Sequence, residues 1–298
     1  MKFATVKIGS ASKVVIVEEQ GKVLLLQDAA EKMELVVPNT LLACIAEGEA
    51  FLNKASAIQQ WAADTDDQTD LFVEEGNFDW EAPIPRPTKN IFCVGKNYVD
   101  HAIEMGSEAD IPEHVMLFSK APTSVIGQGA PIPNHEEVTN QLDYEGELAV
   151  VIGKTGKAIQ KEHALDYVFG YTILNDITAR DLQARHKQFL LGKSLDGSCP
   201  MGPYIVEKSE IDNPNQLDIE TKVNGESRQK SNTKQFIFPI EEIIEVISKG
   251  MTLEPGDIIA TGTPAGVGKG FKPPRFLTKG DCIEITIDKI GTLKNSIH

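Results

Sequence analysis

The sequence DYEGELAVVIG, residues 143–153, predicts a buried strand that begins with two carboxylates. Its second half is a β-branched, apolar run closed by Gly153, which is typical of a strand inside a sheet. Side chains alternate between the faces of a strand, so Glu145 and Glu147 point the same way, roughly 7 Å apart, while Gly146 leaves the opposite face bare. Adjacent carboxylates repel each other, and one would take up a proton unless a cation neutralised the pair. A hard divalent metal is the simplest explanation of this stretch.

Composition and charge predict an ordinary globular protein that acts on small molecules. The chain has 298 residues, of which 41% are hydrophobic and 24% charged, and its length suffices for one large domain or for a small and a large one. No apolar run approaches the ~20 residues of a membrane span, and the first residues lack the apolar core of a secretory signal, so we expect a cytoplasmic protein without membrane insertion. A net charge of −15 argues against nucleic-acid binding. A small anionic substrate remains compatible with it, because a metal and a few cations reverse the sign locally.

The cysteines carry little functional signal. They are scattered without C-x-x-C spacing, which fits reduced thiols in a cytosolic protein; they are Cys44, Cys93, Cys199 and Cys282. Cys199 precedes Pro200 and is open to interpretation as a nucleophile. A small buried residue before a turn is the simpler interpretation.

A proline-rich stretch divides the chain into two predicted domains. Residues 1–82 predict a small α+β domain, with strands at 14–17 and 22–26 and a helical stretch from Pro38 to about Trp61. Residues 83–88 form a proline-rich linker. Residues 89–298 predict a mixed, mainly β catalytic domain. Its predicted elements are strands at 91–95, 171–177, 257–261 and 282–287, a hairpin turn at 223–226 and a helix at 239–249.

An acidic run closes the first of these domains. Eight acidic residues follow one another without an intervening Lys or Arg; they are Asp64, Asp66, Asp67, Asp70, Glu74, Glu75, Asp79 and Glu81. Such a run would serve as a docking face for a basic partner. A solvated acidic loop is the more common explanation.

Asp176 is the natural third metal ligand. The stretch YTILNDI, residues 171–177, predicts a strand that ends where Asp176 stands. Three carboxylates without a nearby Cys or His favour Mg²⁺ or Mn²⁺ over Ca²⁺, and zinc least of all. The Glu-x-Glu pair by itself also occurs on many solvent-facing strands, so the metal prediction depends on Asp176 and on the segment that follows it.

That following segment predicts a helix that begins next to the metal. Thr178 is expected to cap it, with Asp181 in a capping-box position, so that Arg180 and Gln183 share a face. A helix N-terminus beside a cation suits a carboxylate substrate. The alternative is that Arg180 simply pairs with a neighbouring acid.

A second short helix carries a candidate acid–base pair. The stretch GKNYVDHAIEMG, residues 95–106, follows a strand and is stopped by Gly106. His101 and Glu104 are three residues apart and therefore adjacent on a helix. Glu104 would orient the imidazole and raise its basicity, so that His101 could activate water. A surface His–Glu pair on a mobile helix is the alternative.

Five motifs together resemble the fumarylacetoacetate hydrolase superfamily over roughly residues 89–298. They occur in that family's order and are G-x-N-Y-x-x-H-x-x-E at 95–104, D-Y-E-G-E-L at 143–148, N-D-x-T-A-R-D at 175–181, G-K-S at 192–194 and T-G-T-P at 261–264. The chain is most similar to bacterial members with a small N-terminal domain. That group includes acylpyruvate hydrolases, oxaloacetate decarboxylases and isomerases of hydroxymuconate-type diacids.

The resemblance implies a fold and a set of roles. The expected fold is a β-roll or sandwich flanked by short helices, and the expected assembly is a homodimer. The implied roles are Mg²⁺ or Mn²⁺ binding by Glu145, Glu147 and Asp176; acid–base catalysis by His101 and Glu104; stabilisation of substrate charge by Lys193; and substrate contacts by Lys120, Arg180, Gln183 and Thr263.

These roles favour a metal-dependent enzyme that cleaves the C3–C4 bond of small 2-oxo acids. Loss of CO₂ from oxaloacetate, or hydrolysis of an acylpyruvate by water that His101 activates, would leave an enolate at C2–C3 that the cation would stabilise. The same site could exchange keto and enol forms by moving a proton at C3. Two alternatives remain open: an isomerase of hydroxymuconate-type diacids, and a non-catalytic scaffold or binding protein on the same fold.

Overall fold

The structure, a computed structural model, describes residues 1–64 and 69–298. Its fold is mixed and mainly sheet, as predicted. Asp66 and Asp67 of the predicted acidic run lie outside the described residues, so neither interpretation of that run is tested.

The N-terminal part contributes five strands and three helices. The strands are β1 (Lys2–Ile8), β2 (Ala11–Val17), β3 (Val23–Leu25), β4 (Phe72–Val73) and β5 (Asp79–Trp80). The helices are α1 (Leu26–Lys32), α2 (Leu41–Ala46) and α3 (Glu49–Asp64). The two strands predicted here are confirmed. The helical stretch predicted from Pro38 to Trp61 is interrupted, because Gly48 adopts a φ of 58° between α2 and α3.

The remainder of the chain supplies most of the strands. They are β6 (Ile91–Gly95), β7 (Met116–Lys120), β8 (Val125–Ile126), β9 (Leu142–Asp143), β10 (Gly146–Ile152), β11 (Val168–Asn175), β12 (Thr178–Ala179), β13 (Cys199–Glu207), β14 (Asp218–Val223), β15 (Glu226–Asn232), β16 (Ile258–Ala260), β17 (Cys282–Ile287) and β18 (Gly291–Ser296). The helices are α4 (Val99–Glu104), α5 (Arg180–His186), α6 (Leu190–Lys193) and α7 (Ile240–Gly250). The predicted turn at 223–226 joins β14 to β15, with positive φ at Asn224 and Gly225.

A 12-stranded sheet organises the molecule. Its main path runs β4-β3-β2-β1-β13-β11-β10-β16-β6-β7, and a four-stranded sheet follows the order β15-β14-β17-β18. The N-terminal strands join the large sheet through the pairing of β1 with β13. Residues 1–82 and 89–298 therefore share one sheet, and their division into two domains stays a prediction.

Strand β10 is buried on both faces, which explains its continuous apolar sequence. Leu148, Val150 and Ile152 pack with residues of the four-stranded sheet and α7. Ala149 and Val151 belong to a second core that includes Phe51 of α3. Because its side chains alternate between the two faces, β10 contributes to both cores and is held at the centre of the molecule.

Gly146 allows the four-stranded sheet to approach the start of β10. A Cβ atom at this position would lie 2.2 Å from Thr221 Oγ1 and 3.1 Å from Ile285 Cγ2. The bare face predicted for Gly146 is therefore in contact with β14 and β17. Glu145 and Glu147, on either side of Gly146 in the sequence, direct their carboxylates to the opposite face.

In the described part of the chain, no helix is both long and apolar enough to cross a membrane.

We predict that Gly146→Ala lowers the free energy of unfolding by about 1–3 kcal/mol, because the added methyl group overfills a packed contact. Urea unfolding measures it. Gly250→Ala is the matched control, since a Cβ there meets nothing within 4 Å. Equal effects of the two substitutions would show that close approach at Gly146 does not matter.

Candidate active site and metal centre

A cavity of ≈ 220 Å³ opens at the start of β10. Seven of the ten residues predicted for the site line it: His101, Glu145, Glu147, Arg180, Gln183, Lys193 and Thr263. The other three, Glu104, Lys120 and Asp176, contact those residues without being part of the cavity wall. The structure therefore brings together all ten residues predicted for the site.

Antiparallel pairing of β10 with β11 assembles the three carboxylates. Gly146 pairs with Asn175, which places the preceding Glu145 beside the following Asp176. The Asp176 amide donates a hydrogen bond of 2.8 Å to the Glu145 carbonyl. Oxygen atoms of Glu145, Glu147 and Asp176 all lie within 4.8 Å of one another, and all three residues are buried.

Three buried cations surround this triad. Lys193 Nζ lies 2.6 Å from Glu145 Oε2 and 2.7 Å from Asp176 Oδ2. Arg180 Nη2 lies 2.6 Å from Glu145 Oε1. Lys120, fully buried, lies 2.9 Å from Asp176 Oδ1, at angles unsuited to a hydrogen bond. In the described structure no such cation pairs with Glu147; its Oε2 accepts a 2.7 Å hydrogen bond from the Gly262 amide.

As a result, the pKa values of the two glutamates shift in opposite directions. Burial raises the pKa of Glu147 well above its usual value, and the charges of Asp176 and Glu145 raise it further. Burial opposes ionisation of Glu145 as well, but Lys193 and Arg180 outweigh it and hold the pKa of Glu145 at about 2. Glu147 is thus the glutamate whose negative charge the buried cations do not compensate.

The donor set fits a hard divalent cation. It consists of three converging carboxylates, which Mg²⁺ and Mn²⁺ accept. Oδ1 of Asp176 is buried and accepts no hydrogen bond, although Lys120 Nζ lies 2.9 Å from it. Glu145, Glu147 and Asp176 would hold the ion.

Asp143 is a site residue that sequence analysis missed. It is fully buried, and its Oδ2 lies 2.8 Å from Arg180 Nε. The same carboxylate accepts hydrogen bonds from the amides of Gly268 and Lys269 at 2.6 and 3.0 Å. Asp143 therefore fixes both the Arg180 side chain and the turn at residues 268–270. Its place in the D-Y-E-G-E-L motif was the available signal.

Helix α5 begins differently from the prediction. Thr178 does not cap it, because Thr178 lies in β12, paired with Asp143 of β9, and its hydroxyl donates to the Asp176 carbonyl at 2.9 Å. The shared face of Arg180 and Gln183 is confirmed by a 3.2 Å hydrogen bond from Arg180 Nη1 to Gln183 Oε1. Arg180 pairs with acids, and its contact with substrate stays a prediction.

The predicted acid–base pair lies on α4 at the cavity. His101 Nδ1 is 3.3 Å from Glu104 Oε2, and Glu104 Oε1 accepts a 2.9 Å hydrogen bond from the Gly266 amide. A Cβ at Gly270 would meet Glu104 Oε1 at 2.2 Å, so this loop must present bare backbone to Glu104. In the described structure His101 Nε2 makes no hydrogen bond, and it is the ring nitrogen left for a ligand.

The T-G-T-P loop is tied to the strand that carries the glutamates. Thr263 Oγ1 donates to the Gly146 carbonyl at 2.9 Å and accepts from Gln229 Nε2 at 2.7 Å. Gly262 adopts a φ of 100°, where a Cβ would clash with Asn97. The loop therefore depends on glycine, and the contact of Thr263 with substrate stays a prediction.

Cys199 is buried, as the simpler interpretation predicts, but it begins a strand and does not precede a turn. It lies fully buried in β13, and burial raises the pKa of its thiol to about 12. A thiol in that state is not a nucleophile at neutral pH.

Residues 90–298 match the C-terminal domain family of fumarylacetoacetate (FAA) hydrolase. The chain belongs to the fumarylacetoacetate hydrolase family. Its members are enzymes that include hydrolases, isomerases and tautomerases. The family resemblance drawn from the five motifs is thereby confirmed.

Three relatives span nearly the whole chain. Oxaloacetate tautomerase YisK of Bacillus subtilis strain 168 is 58% identical over 100% of both chains. The solved structure of a fumarylacetoacetate hydrolase from the psychrophilic Exiguobacterium antarcticum is 41% identical, with a TM-score of 0.83 over 100% of this chain and 99% of that one. Maleylpyruvate hydrolase from Sphingobium sp. SYK-6, solved with manganese(II) and pyruvate, is 27% identical, with a TM-score of 0.79 over 100% and 98%. Metal binding thus occurs within the family, and the three carboxylates of this chain lie as close together as a metal site requires.

We predict that Glu147→Gln weakens Mn²⁺ binding on the order of 100-fold, because one of three charged ligands becomes neutral. Glutamine keeps the side-chain shape and an acceptor for the Gly262 amide, so the fold should persist. Electron paramagnetic resonance of free Mn²⁺ measures the affinity. Asp212→Asn, at an exposed acid that pairs with Lys289, is the control. Equal Mn²⁺ affinity in both variants would refute this metal centre.

Proposed function

We propose that this chain is a Mg²⁺- or Mn²⁺-dependent enzyme that moves a proton at C3 of small 2-oxo acids, with oxaloacetate as the first substrate to test. The reaction interconverts the keto and enol forms. The observation that carries the proposal is that His101, which Glu104 contacts, lines the same cavity as Glu145 and Glu147 of the carboxylate triad. The oxaloacetate tautomerase that is 58% identical over the whole chain supports the choice of reaction.

His101 is proposed as the group that carries the proton. Glu104 accepts from Nδ1–H, which leaves a lone pair on Nε2 to remove a proton from C3. The negative charge of Glu104 stabilises the imidazolium that forms, and the Gly266 amide keeps Glu104 in place. Transfer of that proton to the oxygen on C2 completes the conversion to the enol, and the reverse order restores the ketone.

Binding and charge stabilisation are assigned to the triad and its cations. A bound divalent cation would polarise the C2 carbonyl and lower the energy of the enolate. Lys193 lines the cavity and is held by Glu145 and Asp176, so its ammonium is oriented before substrate arrives. Burial opposes its charge, yet those two carboxylates outweigh burial and raise the pKa of Lys193 above its usual value. Lys193 therefore stays cationic and stabilises charge developing on the substrate.

Cleavage of the C3–C4 bond is the second candidate, and it was the first hypothesis from the sequence. Loss of CO₂ from oxaloacetate, or hydrolysis of an acylpyruvate, would leave the enolate of pyruvate, which takes up a proton at C3 to give pyruvate. This candidate is supported by the maleylpyruvate hydrolase solved with manganese(II) and pyruvate, which is similar over the full chain. The isomerase alternative uses the same proton transfer on a longer diacid. A homodimer and a cytoplasmic location stay predictions from the sequence.

With Mn²⁺, the purified protein should accelerate exchange of the C3 protons of oxaloacetate with D₂O by at least about 100-fold over metal alone. Proton NMR follows the exchange, and the pyruvate signal reports cleavage in the same sample. Pyruvate appearing as fast as exchange would make cleavage the main reaction. If neither rate exceeds that of metal alone, the proposed function is wrong.

We expect His101→Gln to lower the exchange rate by about 10²- to 10³-fold, because the site loses its proton carrier. Mn²⁺ affinity should stay unchanged, since His101 is not a proposed ligand. His163→Gln is the matched control: His163 also pairs with an acid three residues on, Asp166, but both are exposed. A comparable loss of rate in the two variants would contradict the role of His101.

A further inference from the structure

The cavity wall carries four cationic side chains, and three of them are committed to acids. Arg180 and Lys193 pair with the buried carboxylates. Lys96 Nζ lies 3.1 Å from Asp110 Oδ1. Lys269 is the fourth, and in the described part of the chain its ammonium makes no hydrogen bond or ion pair. The cavity therefore has one cation with unused capacity for an anion.

The backbone around Lys269 is fixed, so this lysine is held at the cavity. The amides of Gly268 and Lys269 both donate to the buried carboxylate of Asp143. A Cβ at Gly268 would lie 2.3 Å from the Arg275 carbonyl oxygen, and one at Gly270 would lie 2.2 Å from Glu104 Oε1. Both flanking positions are thus pressed against their neighbours, and only residue 269 of this turn has room for a side chain.

The surroundings of Lys269 favour an anion. Partial burial lowers the pKa of Lys269, the positive charge of Arg180 lowers it further, and the negative charge of Asp143 offsets them only in part. An ammonium group in that position gains when a carboxylate approaches it. In the described structure Lys269 forms no ion pair with the triad carboxylates, so they do not supply that contact.

We propose that Lys269 binds a second, distal carboxylate of the substrate and so makes the site selective for dicarboxylic 2-oxo acids. This inference rests on the proposed function and narrows its substrate class. The 2-oxo acid end would lie at the triad, and a cavity of ≈ 220 Å³ has room for a short diacid. A substrate with an apolar group in place of the distal carboxylate leaves Lys269 without a partner.

Binding of two stable ligands to the Mn²⁺-loaded full-length protein tests the proposal. L-malate and L-2-hydroxybutyrate share the C1–C2 hydroxy acid unit, and a carboxylate of the first replaces a methyl group of the second. Isothermal titration calorimetry gives both affinities for the wild type, Lys269→Met and Lys269→Arg. Lys272→Met is the matched control, since Lys272 is an exposed lysine on the same segment and does not line the cavity.

We expect the wild type to bind L-malate about tenfold more tightly than L-2-hydroxybutyrate, as for one charge-assisted hydrogen bond at a partly exposed site. Lys269→Met should remove this difference by weakening L-malate alone, and Lys269→Arg should restore most of it. Lys272→Met should leave it unchanged.

Equal binding of the two ligands by the wild type overturns the proposal. So does equal weakening of both ligands by Lys269→Met, because Lys269 would then contact the part that they share. The proposed function fails separately: if the wild type discriminates between the ligands but does not accelerate C3 exchange, the distal carboxylate site stands without tautomerase activity.

Discussion

Buried negative charge is the constraint on which the site depends. Carboxylates are costly to bury unless cations or hydrogen bonds compensate them. Four of them converge at the start of β10, and three buried cations approach them; the carboxylates are Asp143, Glu145, Glu147 and Asp176, and the cations are Lys120, Arg180 and Lys193. Glu147, for which the described structure shows no ion pair, has a raised pKa. This one imbalance explains why the fold is suited to an additional divalent cation.

Close backbone approach gives this charge cluster its rigid support. Gly146 lets the four-stranded sheet press against β10, so the two glutamates beside it can point only into the cavity. Gly262 brings its amide to Glu147, and Gly270 leaves space for Glu104. Glycine at these points replaces side-chain packing with backbone contact, so that hydrogen-bond donors are placed before a ligand binds. Such preorganisation is what stabilises developing charge in a closed site.

Asp143 links parts of the site that have separate tasks. Through Arg180 it supports Glu145, and through two amides it holds the turn that carries Lys269. The same loop reaches His101 through the bond from the Gly266 amide to Glu104. The proposed metal ligands, the proposed proton carrier and Lys269 thus stand on one hydrogen-bonded framework. A substitution of Asp143 would therefore disturb all three.

The sequence by itself determined the strand at the centre, the carboxylate triad, the His101–Glu104 pair and the family. Strand alternation and helix spacing depend on neighbouring residues and predict the Glu145–Glu147 and His101–Glu104 pairs, whereas Asp176 meets the glutamates through the pairing of β10 with β11. Only the tertiary structure decided which charges meet. In it, Arg180 pairs with Asp143 and Lys120 pairs with Asp176. Thr178 lies in a strand and not at a helix cap, and Lys269 has no ion-pair partner among the described residues. The physical reason is that an ion pair depends on segments distant in sequence, and no local pattern states which acid a given cation will reach.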